Sequence, residues 1–395
     1  MTAAQAERPG EVLERVEAEL RALWSTPPAP GELPRARACT MNLVVVAATP
    51  GAGRARVDEW VPVVDEVLLG LPARAIVVGI EPGGEPALEA GTTAVCTPQE
   101  GGGLVCSERI TLFARGDVCA RLHSCVAALC TSDVPTVLVW LGPVHADEPA
   151  FGAIARDASR IVLDSRRGPV DGLTSLVYWS RARSELDRPG IGDLAWTCLA
   201  PWQEMCARMF DEPGLRALAA HVTRLTLRQA SGAGVPLGAE GALLMAWLAT
   251  RLGWRLPAPR DAASPAQVEV VLVADPAAVA SPGALLAVRL EGGANGVAFR
   301  GEIVREPGHV DAATWRLEVT RDGGEPRRLE QHVRLRADET AGLLERTLHR
   351  PTHDPALADA AAWADELEGE ELACGLEGDN VATVRRLVRE GTPTP

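Results

Sequence analysis

The chain has 395 residues, enough for two or three domains, and its 47% hydrophobic and 23% charged content is that of a globular protein rather than a disordered one. A formal net charge of −14 counts against general nucleic-acid binding, which works by neutralising phosphates, and against an anionic membrane surface. All 39 basic residues are arginine, which excludes a phosphate-loop lysine, a Schiff-base lysine and a lysine general base.

The polar N-terminus, Met1 to Glu7, has no apolar stretch of the kind a secretory leader needs, so a cytoplasmic protein with mainly free thiols is expected. From Glu11 to Trp24, Val12, Leu13, Val16, Leu20 and Leu23 recur at helical spacing, and Pro27-Pro28 ends the segment. The apolar run from Met41 to Val46 predicts a strand, Val57 to Leu69 a helix, and Ala73 to Gly79 a second strand. Thr92–Thr97 and Gly103–Phe113 predict a hairpin about Gly101-Gly102-Gly103. Asp117 is placed to cap a helix running to Cys130, with Val118, Leu122, Val126 and Leu129 as its buried stripe. A strand at Thr136–Leu141, a short helix near Ala150–Ala158 and a strand at Arg160–Asp164 follow. Strands apolar on both faces and alternating with helices imply a mostly parallel, mixed sheet with helices on both faces.

A second domain is expected from Gly168-Pro169, beginning with a helix at Gly172–Leu186. Pro201 suits the first turn of the next helix, where its missing N–H costs nothing, and Trp202, Met205, Cys206, Met209 and Phe210 then form one apolar stripe. Asp211-Glu212-Pro213-Gly214 stops that helix. A strand at Val222–Gln229 and a helix at Ala239–Leu252 come next. Five further strands, Gln267–Ala274, Ala284–Glu291, Gly296–Arg305, Ala313–Arg321 and Arg328–Leu335, are joined by short turns and imply an antiparallel sheet. Asp354 to Arg389 reads as acidic surface helices. The expected fold class is thus α/β, followed by an α+β domain with an antiparallel sheet. The expected divisions are an N-terminal helix and linker over 1–36, the α/β domain over 37–168, the α+β domain over 169–350 and acidic C-terminal helices over 351–395.

Chemical motifs are sparse. Gly51-Ala52-Gly53 follows the first strand where a dinucleotide fingerprint would sit, but Arg56 occupies the place of its third glycine. Arg54 and Arg56 there, with Asp164, Ser165 and Arg166 at the end of another strand, form a possible ligand loop at the carboxyl edge of the sheet; plain turns are the alternative. No CxxC pair, HExxH or GxSxG is present, and Pro351 between His349 and His353 opposes a regular two-histidine helix face, so neither a metal nor a cofactor is expected. Cys96 and Cys106 lie symmetrically about Gly101. A hairpin centred there puts them opposite each other at a Cα separation of about 4.5 to 5.5 Å, which a disulfide spans. They are a candidate reversible redox pair.

Seven blocks in matching order resemble the OpcA family, the glucose-6-phosphate dehydrogenase assembly proteins. The strongest is Asp193–Asp211, DLAWTCLAPWQEMCARMFD, similar to a family segment DLxWTRLTPWRExxAxxFD. Ala242–Arg255, ALLMAWLATRLGWR, is similar to LLAGWLASRLGW. Arg37–Val46, Pro72–Val78, Glu108–Asp117, Val134–Gly142 and Arg160–Ser165 complete the set. Cys198 and Gln203 depart from it, each standing where the family usually has arginine. The resemblance implies a non-catalytic assembly and allosteric activator subunit of glucose-6-phosphate dehydrogenase in the oxidative pentose phosphate pathway, with thioredoxin as a further partner. Asp193, Trp196, Trp202, Arg208, Trp247, Arg251 and Trp254 fall in its two best blocks and are the expected partner contacts, Trp and Arg being enriched at interface hot spots. The alternatives are an α/β enzyme or sensor holding a sugar phosphate or nucleotide at the carboxyl edge of the sheet, and a structural hub with a different partner.

Overall fold

The computed structural model describes residues 8–27, 30–47, 53–142, 149–166, 190–212, 214–230, 238–256, 267–278, 280–309, 311–335, 340–368 and 382–389. The helix expected at Gly172–Leu186 lies outside them, as do Gly51 and Ala52. The chain forms two compact units: residues 1–167, 182–194 and 338–354 make the first, and 168–181, 195–337 and 355–395 the second.

The first unit opens with α1 (Pro9–Ser25), whose Pro9 sits in the first turn and whose Val12, Val16 and Leu20 are buried. Then come β1 (Arg35–Arg37), β2 (Asn42–Ala47), α2 (Gly53–Gly70), β3 (Arg74–Glu81), β4 (Ala87–Pro98) and β5 (Leu104–Arg115). The helix α2 continues through Pro62, held by the burial of Trp60, Val64, Val67 and Leu68 on either side of it. After a 3-10 turn at Gly116–Arg121 follow α3 (Leu122–Leu129), β6 (Thr136–Trp140), α4 (Pro149–Ala155), β7 (Arg160–Leu163) and β8 (Gly190–Asp193). The strands lie in the order β4-β5-β3-β2-β6-β7-β8, with β1 beside the first residues of β5; all neighbours are parallel except β4 with β5. Counting from β2, the run β5-β3-β2-β6-β7-β8 is the doubly wound 3-2-1-4-5-6 order, whose reversal lies between β2 and β6. The valines and leucines of β2, β3 and β6 are almost completely buried, as a parallel sheet covered on both faces requires.

One expectation in this unit fails. Asp117 does not cap a helix to Cys130. Gly116 takes a positive φ of 58°, and a Cβ there would strike the Gly84 carbonyl, so the chain makes a tight turn first and the α-helix starts at Leu122. The buried stripe of Val118, Leu122, Val126 and Leu129 is nevertheless as expected.

The second unit follows a short helix, α5 (Leu194–Cys198), which straddles the boundary between the units. It comprises α6 (Ala200–Arg208), a 3-10 turn at Arg216–His221, β9 (Val222–Ala230), α7 (Ala239–Leu252), β10 (Trp254–Arg255) and β11 (Gln267–Asp275). Next are β12 (Leu285–Ala294), β13 (Val297–Arg305), β14 (Ala312–Arg321) and β15 (Arg327–Arg334). The helix α8 (Thr340–His349) belongs to the first unit, and α9 (Pro355–Glu368) and β16 (Ala382–Arg389) return to the second. The strand order is β10-β16-β11-β9-β12-β13-β14-β15.

The β12 to β15 run is the expected antiparallel meander. Two features differ from expectation. First, β9 inserts between β11 and β12 and pairs with β11 in parallel. Second, the C-terminal segment is not a set of acidic surface helices. The helix α9 buries Leu357, Ala360, Ala361, Trp363 and Ala364 and packs on α7, while Ala382–Arg389 is a strand between β10 and β11. Among the described residues no helix is long and apolar enough to cross a membrane.

Candidate functional site

In the second unit, α6 carries the predicted stripe inward. Trp202, Met205, Cys206 and Met209 are buried, and Phe210 meets Phe299 edge-on with ring centroids 5.5 Å apart. The Trp315 indole N–H donates to the Met205 carbonyl at 3.0 Å, and the Arg305 guanidinium lies 5.8 Å from the Trp202 ring centre. Arg208 faces outward and pairs with Glu204 one turn earlier at 2.9 Å. The helix α7 is capped by Gly253 in the left-handed conformation. Trp254, just beyond that cap, is buried, and its carbonyl accepts the Trp363 indole N–H at 3.1 Å. Trp196 in α5 is buried as well. Of the four expected tryptophan anchors, Trp247 is therefore the one that is half-buried rather than buried, and Arg251, at helical i+4 spacing from it, is exposed. Cys198 and Gln203 are both half-buried.

Asp193, the first residue of the strongest sequence block, is 1% exposed in the first unit. It ends β8 opposite Leu163 of β7. Its carboxylate accepts the Ser165 N–H at 3.0 Å and the Ser165 hydroxyl at 2.8 Å. Asp164 in turn accepts two hydrogen bonds from the Arg166 guanidinium, at 2.8 and 3.0 Å. Asp193 thus clamps the exit of β7 at the carboxyl edge of the sheet. The other two residues of the supposed ligand loop sit elsewhere. On α2, Arg54 pairs with Glu89 and lies over the Phe113 ring, and Arg56 pairs with Glu59. The structure therefore brings Asp164, Ser165, Arg166 and Asp193 together as two neighbouring hydrogen-bonded pairs, and shows the two α2 arginines engaged with other carboxylates.

Cys96 and Cys106 stand opposite each other in the β4–β5 register and are disulfide-bonded, with Cα atoms 4.0 Å apart. Cys106 is buried and Cys96 half-buried. The glycines at 101, 102 and 103 all take positive φ, which lets the two strands close this tightly. Six other cysteines among the described residues are not disulfide-bonded. Burial pushes the Cys206 thiol up to about 12, and burial also raises those of Cys125 and Cys130, which keeps them protonated and unreactive.

Three buried charges, Glu108, Arg74 and Arg160, were not singled out from the sequence. Glu108 is 1% exposed and gathers Trp24, Arg37 and Arg74 at the amino ends of β3 and β5. Arg160, at the start of β7, donates to the carbonyls of Leu348 and Arg350 and so ties the chain after α8 to the sheet. The available signal was a charged residue beside an apolar run: Arg160 heads β7, and Glu108 lies within β5 just before its apolar half.

Two sequence profiles match the chain. The one described as glucose-6-phosphate dehydrogenase subunit N-terminal domain covers residues 65–195, and the one described as its C-terminal domain covers 189–361. A protein of Nostoc punctiforme named OxPP cycle protein OpcA is 29% identical over 199 residues, covering 49% of this chain and 40% of the relative. Its namesake from Synechocystis is 26% identical over 197 residues, covering 49% and 39%. The matched region thus spans about two-fifths of these relatives. Among solved structures, the transcriptional regulator Gal80p from Kluyveromyces lactis aligns with 89% of this chain and 95% of its own, at 8% identity and a TM-score of 0.37, too distant to bear on function. The two profiles together run from residue 65 to residue 361, through the two strongest of the seven resembling blocks, and the chain belongs to the OpcA family of glucose-6-phosphate dehydrogenase assembly proteins.

Proposed function

We propose that the chain is a non-catalytic subunit of glucose-6-phosphate dehydrogenase in the oxidative pentose phosphate pathway, acting in the cytoplasm to assemble and activate the enzyme allosterically. The match of both family profiles carries this reading. The side chains agree with it. In the polar cluster at the end of β7, Asp193 holds Ser165 and Asp164 holds Arg166 by hydrogen bonds, as a loop clamp does. An activator acts by binding one conformation or assembly state of its enzyme better than another. In this proposal the contact surface is the outer side of α7 and α6, with Trp247 as the apolar anchor and Arg251 and Arg208 as charged neighbours. Trp196, Trp202 and Trp254 are buried within the second unit and hold its helices in place, while Asp193 steadies the exit of β7 in the first unit.

The Cys96–Cys106 bond supplies a redox input in the same proposal. A thioredoxin-type dithiol would reduce it to two thiols and become a disulfide itself, freeing the end of the β4–β5 hairpin.

The test mixes the purified full chain with the dehydrogenase of the same cell, under reducing and under oxidising conditions. Co-migration and a faster oxidation of glucose 6-phosphate are expected, both weakened by Trp247→Ala and Arg251→Glu. No association and no change in rate under either condition overturns the proposal. The second reading, a sugar-phosphate or nucleotide sensor, draws on the doubly wound strand order, which places a crevice between β2 and β6. Tight binding of such a ligand by the isolated chain would favour it.

A further inference from the structure

The second unit's sheet has one apolar and one charged face. On the apolar face lie Leu225, Val270, Leu290, Ile303, Trp315 and Leu317, all buried. On the other, strand register lines up a row of alternating charge across six neighbouring strands: Glu269 of β11, Arg224 of β9, Glu291 of β12, Arg300 of β13, Glu318 of β14 and Arg328 of β15. Neighbours in the row hold one another in place. Arg224 lies 3.3 Å from Glu269 and 4.0 Å from Glu291, Arg300 lies 3.4 Å from Glu291, and Arg328 lies 3.0 Å from Glu318. A parallel row two residues along runs Arg289, Glu302, Arg316 and Glu330. These side chains remain open; Arg300 is 51% exposed and Arg328 75%.

The order of signs has a consequence. Reflected about the line between β12 and β13, every charge of the first row falls on its opposite. A two-fold axis along that line, with two copies face to face, sets Glu291 against Arg300 of the second copy, Arg224 against its Glu318, and Glu269 against its Arg328. The second row obeys the same rule at its centre, Arg289 meeting Glu302. Such an interface is isologous: one patch serves both copies. The rows are electrically balanced, although the chain carries −14, so the face escapes the repulsion that opposes self-association of an acidic protein. At about 4.8 Å between strands and about 3.3 Å per residue, six strands present about 650 Å² per copy, or about 1,300 Å² in all, within the range of a specific interface. Sheets packed face to face align within about 30°, which keeps the rows in register near the axis.

We propose that this charged sheet face is the dimerisation surface of the chain, taking a second copy of itself across a two-fold axis between β12 and β13. Complementary charge fixes the register, and the dimer is sensitive to salt because its contacts are ionic.

Sedimentation equilibrium of the full chain tests it with two charge reversals. Arg224→Glu puts like charges at both places where positions 224 and 318 meet; Glu318→Arg does the same with the opposite sign. Each variant alone is expected to dimerise at least ten-fold more weakly than wild type. An equimolar mixture of the two restores every opposite pair between chains, and dimer is expected to return. Positions 224 and 318 lie on strands that are not neighbours, and each chain carries one change, so repair within a chain cannot mimic this recovery. Circular dichroism of each variant verifies the fold. A wild type that stays monomeric at low salt overturns the proposal, as do single variants that dimerise normally or a mixture that does not recover. Loss of dehydrogenase binding by both variants, with the wild-type chain monomeric, would assign the face to the dehydrogenase instead. Failure of the activation assay above would leave this experiment's reading untouched.

Discussion

Replacing Glu108 by alanine tests the buried charge cluster of the first unit. Glu108 is 1% exposed and accepts from Arg74 Nε at 2.6 Å, from Arg37 Nε at 2.9 Å and from the Trp24 indole. Arg74 is itself 9% exposed in its side chain, and without Glu108 it keeps the Leu129 carbonyl at 2.8 Å and the half-exposed Glu17 at 3.9 Å. A buried guanidinium deprived of its carboxylate costs about 3–5 kcal/mol. Glu108→Gln retains a carbonyl acceptor but loses the charge, and about 1.5–3 kcal/mol is expected. The double change Arg74→Leu with Glu108→Leu removes both charges and should cost less than Glu108→Ala alone. Because the chain has two compact units, one global unfolding free energy does not describe it, and hydrogen exchange of β3 and β5 amides is the suitable measurement. A loss below about 1 kcal/mol for Glu108→Ala, or a double variant worse than the single, would refute the reasoning.

Three further outcomes follow from single contacts. The Thr92 hydroxyl donates to Glu19 at 2.7 Å and holds that carboxyl below its ordinary range against the opposing effect of burial. A depressed carboxyl pKa adds stability that is present above its unfolded value and lost as pH falls through the folded one; Thr92→Val should therefore flatten the acid side of the stability profile, by tenths of a kcal/mol at this exposed site. Cys206, with a pKa of about 12, should resist alkylation at mildly alkaline pH in the folded chain, where about one thiol in ten thousand is ionised, and react on unfolding. Rapid labelling in native buffer would contradict its burial. Gly190→Ala should destabilise the β7–β8 edge by about 1–3 kcal/mol, because the added Cβ meets the Thr352 carbonyl, and β8 amides should then exchange faster. Unchanged exchange would show that Thr352 yields.

The site was legible where local pattern and long-range pairing coincide. Cys96 and Cys106 were found because a glycine-centred hairpin fixes its own register. Trp247 and Arg251 share a helical face that the sequence shows, but which tryptophans would be covered depended on α9 and β14, both distant in the chain, and these bury or bond Trp254 and Met205. The Glu108 cluster joins residues 24, 37, 74 and 108, and no window of sequence contains that neighbourhood.

What the sequence determined by itself is the set of elements whose apolar period is strong. The β2, β3 and β6 runs can be buried only on both faces, and the α6 stripe only on one, so their type follows from side-chain spacing. Tertiary structure decided the rest. It made Ala382–Arg389 a strand, because β11 offers it a seven-residue antiparallel partner that no helix there could use, and it drew β9 between β11 and β12. It also set the alternating charges of the second sheet in a row, since residues as far apart in the chain as Arg224 and Glu291 become neighbours only once strand register is fixed, and backbone hydrogen bonds, not local propensity, fix it.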